Sequence, residues 1–86
     1  MQKSIYDSRY RALISLLKKY RLNSNMTQNE LATILDCDQG YVSKYESGQR
    51  RLDVIEVRTI CKYLGIDFVD FANQLESLIK KEKLDD

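Results

Sequence analysis

The chain has 86 residues, 43% of them hydrophobic and 31% charged, with three glycines, no proline and no histidine. That size and the scarcity of helix breakers point to one small all-helical domain rather than a disordered chain, and without histidine, an acid cluster or a glycine-rich phosphate loop neither enzyme, metal nor cofactor chemistry is expected. The net charge of +1 is uninformative, but residues 1–24 set six cations against Asp7 alone while residues 63–86 set three lysines against six acids, so the ends divide into a basic face for a polyanion and an acidic one turned away, or into two solvated helix faces.

The first periodic segment is "YRALISLLKKYR", in which Tyr10, Leu13, Leu17 and Tyr20 recur at three and four. This spacing predicts an amphipathic helix from Ser8 to about Arg21. The polar stretch "LNSN" breaks it. In "TQNELATILD", Thr27 is an N-cap and Glu30 completes a capping box. Leu31, Ala32 and Leu35 face inward, and Asp36-Cys37 form a short turn. Asp38 caps a third helix, Gln39 to Ser47, closed by Gly48 at a position that calls for positive φ. A fourth helix follows Asp53, lines Val57, Ile60, Cys61 and Leu64 along one face, and stops at Gly65. The last, over about 68–83, carries Phe68, Phe71, Ala72, Leu75, Leu78 and Ile79 on one stripe.

Cys37 and Cys61 are not spaced as a metal site or a redox pair. Reduced thiols are expected, with Cys61 as a small core residue. No secretory signal and no membrane-length apolar run is visible, so a cytoplasmic protein without membrane contact is expected.

Two short helices joined by a tight turn, with a small Ala32 inside the first, form a helix-turn-helix pattern over about 27–47. A larger side chain at Ala32 would push the third helix away. The outward face of that helix is Gln39, Gly40, Ser43, Lys44 and Ser47. It is small and hydrogen-bonding throughout, which suits a major groove, where amides and lysines reach base edges.

"MTQNELATILDCDQGYVSKYESGQRR" resembles the lambda-repressor-like (Cro/Xre-type) DNA-binding family. That pattern runs roughly Leu-Thr-Gln-x-x-Leu-Ala, a turn, then Val-Ser-x-x-Glu-x-Gly. The match is continuous from Met26 to Gly48 and looser on either side. The resemblance implies an all-α, five-helix domain that binds double-stranded DNA, bacterial or phage-encoded. It implies base reading by Gln39, Gly40, Ser43 and Lys44. Phosphate contacts are implied for Thr27, Gln28, Tyr41, Ser47, Gln49, Arg50 and Arg51, with Gln28 also supporting the first base-reading residue; solvated charge is the plainer reading of the two arginines, and a packing role that of Tyr41. The family often pairs the glutamate at the place of Glu46 with an arginine of the first helix. Arg21 sits at the matching spacing, seven residues before Gln28, so a partly buried ion pair is expected.

Two positions depart from the family pattern. Asp36 stands where a turn glycine is common, and Asp tolerates left-handed backbone. Gly40 stands where relatives often carry a base-reading side chain. Small stand-alone members, such as restriction–modification controller proteins, dimerise through a last helix. By that likeness Phe68, Phe71, Leu75, Leu78 and Ile79 are expected at a homodimer interface, with cover of the chain's own core as the plainer reading of the stripe, and no small-molecule ligand is expected. A protein-interaction module, as in an antitoxin bound to its toxin, is the rival reading. A protein-docking face would carry aromatics or leucines where this chain has polar and basic groups.

Overall fold

The computed structural model describes residues 7–85. Five α-helices make up these residues: α1 (Ser8–Asn23), α2 (Gln28–Ile34), α3 (Gln39–Glu46), α4 (Val54–Tyr63) and α5 (Phe68–Lys81). Among the described residues there is no strand. Among the described residues no helix is long and apolar enough to cross a membrane, and no His/Cys/Asp/Glu group is arranged to hold a metal.

Each helix begins on an acidic or hydroxyl cap. Asp7, Thr27, Asp38, Asp53 and Asp67 each accept a backbone N–H from the first turn of α1 to α5 respectively. These bonds satisfy donors that have no partner inside the helix. Thr27–Glu30 and Asp53–Glu56 form reciprocal capping boxes. α1 runs two residues past the expected Arg21, because the Ser24 N–H still finds the carbonyls of Tyr20 and Arg21 and the chain turns only at Asn25, with φ 57°.

α2 packs on α3, while α1 packs against both α3 and α5, and α4 closes on α5. The core between them is Ile14, Leu17, Leu31, Ala32, Val42, Tyr45, Val57, Ile60, Cys61 and Phe71, with Tyr10, Leu52 and Leu64 at its edge. Tyr10 ties α1 to the loop after α3: its hydroxyl accepts the Leu52 N–H at 2.9 Å and donates to the Arg50 carbonyl at 3.5 Å. Burial pushes the Cys61 thiol up to about 11, so it stays protonated at neutral pH. Tyr45 is buried completely, and its phenol is raised for the same reason.

The C-terminal stripe divides between buried and partly open residues. Phe71 is 1% exposed and Ile79 9%. Phe71 belongs to the core cluster, and Ile79 is buried along the same helix where α5 lies across α1 and α4. Phe68, Leu75 and Leu78 are partly buried. The large apolar side chains left most open nearby are Val54 and Ile55 at the start of α4 and Val69 at the start of α5, at 63%, 65% and 63% exposure.

Candidate nucleic-acid interface

The turn between α2 and α3 sets the pose of α3. Asp36 takes φ 58°, the left-handed conformation that its short polar side chain tolerates. The Asp36 N–H then reaches the Thr33 carbonyl at 3.1 Å, and the Cys37 N–H reaches the Ala32 carbonyl at 2.9 Å. Val42 and Tyr45 press α3 inward with no exposure, against Leu31 and Ala32 at 0% and 1%. The opposite face holds Gln39, Gly40, Ser43, Lys44 and Ser47, all exposed. At the far end Gly48 turns the chain at φ 85°.

Gly40 lies in the first turn of α3. A Cβ there would sit 3.1 Å from Asp38 Oδ1, the oxygen that caps the Tyr41 N–H. A larger residue would therefore crowd the cap, and the bare backbone leaves a flat patch beside Gln39 on the outer face.

A chain of hydrogen bonds runs from that face into the core. Gln39 Nε2 donates to Gln28 Oε1 at 3.5 Å, and Gln28 Nε2 donates to Glu46 Oε1 at 3.0 Å. Glu46 receives Arg21 in a two-pronged pair: Nε to Oε2 at 2.7 Å and Nη2 to Oε1 at 3.0 Å. Arg21 Nη1 donates to the Met26 carbonyl at 2.7 Å. The side chains of Arg21 and Glu46 are 7% and 3% exposed, and the bond to Glu46 raises the arginine's pKa. Gln28 is thus held at both ends of its amide. Its link to Glu46 carries no motif signal, because it joins residues on different helices.

The expected phosphate-contact residues do not form one uniform set. Thr27 is exposed, and its oxygen caps the Glu30 N–H at 3.0 Å. Ser47 donates to the Lys44 carbonyl at 3.0 Å, and Gln49 is exposed. Tyr41 is partly buried rather than free, its hydroxyl donating to Glu56 Oε2 at 2.9 Å. Its phenol pKa is raised by burial and then by the Glu56 carboxylate. Arg50 stacks over the Tyr41 ring at 4.9 Å and pairs with Glu56 at 3.0 Å. Arg51 stacks over Tyr10 at 4.2 Å. Sequence reasoning did not single out Glu56. Its only local signal was the capping box with Asp53, which says nothing about Tyr41 or Arg50.

An open groove borders this corner, lined by Tyr10, Leu13, Leu52, Leu75 and Ile79. Its neighbour reaches Val54 and Phe68. Val54, exposed at the start of α4, therefore adjoins the loop that follows α3.

A helix-turn-helix family model matches residues 17–71. Curated proteins give no match. Among solved structures, an XRE-family like protein from Pseudomonas syringae pv. tomato str. DC3000 is 42% identical over 86% of this chain and 90% of its own, with TM-score 0.80. The clp gene regulator ClgR from Corynebacterium glutamicum is 26% identical over 86% of this chain and 83% of its own, with TM-score 0.66.

Proposed function

The chain belongs to the Cro/Xre-type helix-turn-helix family, and from that premise we propose that it is a DNA-binding transcriptional regulator that places α3 in the major groove as a homodimer. One observation carries the reading. The outer face of α3 is polar and exposed, and its first side chain, Gln39, is steadied through Gln28 on a buried ion pair. A side chain held in one pose before binding loses less entropy on contact. An amide in that place pairs bidentately with adenine N6 and N7. Lys44 and Ser43 flank it as further base-reading groups, and flat Gly40 admits the groove floor closely. Gln49, Ser47 and Arg51 hold phosphates, which fixes register without reading sequence.

The partner is a second copy of this chain. Val54, Ile55 and Val69, with Leu75 and Phe68 behind them, offer it an apolar face on α4 and α5. Two copies related by a two-fold axis set their α3 helices about one DNA turn apart, ~34 Å, and so require a palindromic operator. Repression or autoregulation then follows from protein concentration and operator spacing. The polar face of α3 speaks against the rival reading as a protein-docking module.

Selecting bound sequences from a random DNA pool tests this. A palindrome with half-sites one turn apart is the expected result. Enrichment of a single unpaired half-site would remove the dimer and keep the DNA reading. No enrichment at all would remove both.

A further inference from the structure

We propose that Glu56 masks Arg50, so that the protein carries one phosphate-seeking cation in neutralised form and binds DNA less tightly than its basic groups allow. The inference rests on the DNA-binding reading above. Arg50 follows α3 by four residues, on the loop that leaves the outer face. It does not stand free there. Its guanidinium lies over the Tyr41 ring at 4.9 Å, and its Nη2 is 3.0 Å from Glu56 Oε2. The same oxygen accepts the Tyr41 hydroxyl at 2.9 Å. Glu56 is fixed in turn by its other oxygen, which accepts the Asp53 N–H at 2.9 Å. Three elements thus meet on one carboxylate: α3 through Tyr41, the loop through Arg50, and the start of α4 through Asp53.

Two of those three duties do not require charge. A glutamine in this position completes a capping box as a glutamate does, and the Tyr41 hydroxyl needs only a hydrogen-bonding partner. Neutralising Arg50 is what the negative charge adds. A phosphate competing for Arg50 must take it from a carboxylate that is itself held in place. Glu56 also sets a negative charge beside an anionic ligand. The side chains of Arg50 and Glu56 remain 45% and 23% exposed, so the ion pair adds little to folding stability, and the Tyr41 ring beneath the guanidinium adds to its hold on Arg50. It can be broken without unfolding the domain.

The experiment measures binding to a fluorescent duplex of arbitrary sequence by anisotropy, from 50 to 200 mM salt. It compares the wild type with Glu56→Gln, Arg50→Ala, the double variant and Arg51→Ala. Each phosphate contact adds about 0.9 to the salt slope. Glu56→Gln should bind tighter and show a slope steeper by about one contact, so its advantage shrinks about 3.5-fold across that salt range. Arg50→Ala alone should leave the wild-type slope unchanged, and in the Glu56→Gln background it should remove the added contact. Far-UV circular dichroism checks that every variant folds, and Arg50→Ala breaks the same pair from its exposed side should Glu56→Gln melt early.

A Glu56→Gln slope equal to the wild type's, or an Arg50→Ala that already lowers the slope by one, would overturn the masking. If at the same time Arg51→Ala flattens the slope, DNA binding stands. A wild type with no salt-dependent binding overturns both.

Discussion

Glu46→Ala separates a buried ion pair from a surface one. The substitution removes a carboxylate that accepts three hydrogen bonds, two from Arg21 and one from Gln28. Arg21, 6% exposed, keeps the Met26 carbonyl as acceptor. Stranding one charge of such a pair costs about 3–5 kcal/mol. A domain of this kind is stable by about 5–15 kcal/mol in total. Each kcal/mol moves the melting temperature of a chain this size by about 4–8 °C, so a drop of at least about 12 °C is expected. Urea unfolding followed by far-UV circular dichroism measures the loss directly. The double variant Arg21→Met/Glu46→Leu removes both desolvated charges and fills the space. It should recover most of the stability, since apolar replacement of a buried pair is often neutral or better. It still leaves Gln28 without its acceptor. Discrimination between DNA sequences should therefore fall even where stability returns. A single-variant loss under about 1 kcal/mol, the value of an exposed pair, would refute the reasoning.

Gln39→Ala should cost about 1–3 kcal/mol on the selected site and relax one base position; equal losses on selected and random duplexes would refute its reading role. Arg51→Ala should weaken all sequences alike and lower the salt slope by about one; a sequence-dependent loss would refute its assignment to phosphate. Ile55→Asp should raise the dimer dissociation constant at least about tenfold by sedimentation, because a buried Ile contributes roughly 1.5–3 kcal/mol; an unchanged constant would place the interface elsewhere. The Cys61 thiol ionises near 9.0 when unfolded and is pushed up to about 11 when folded. The folded state keeps the proton longer, so its contribution is complete below pH 9.0 and is lost as pH rises through about 11. The urea midpoint should fall across that window, and a flat midpoint would contradict burial of the thiol.

The five helices were legible along the chain because the devices that start and stop them are local. Thr27 with Glu30, Asp38, Asp53 and Gly48 act within a few residues of themselves, and the structure places them where the spacing did. Asp36 in the left-handed turn belongs to the same class. The exposed face of α3 was also readable, since period and polarity decide it together.

What depends on how helices cross was not readable. The apolar stripe of α5 marked which side is greasy. How much of that side meets α1 and α4 is set by the packing angle, and the packing buried Phe71 and Ile79. The resemblance implied a phosphate contact for Tyr41, yet the start of α4 supplies Glu56 to hold its hydroxyl. Gln28 gains its hold on Glu46 in the same way, eighteen residues away in sequence. Caps and periods are short-range, so one strand of sequence contains them whole. A side chain's partner across a helix crossing is set by the distance between two backbones, and that distance exists only after the core has closed.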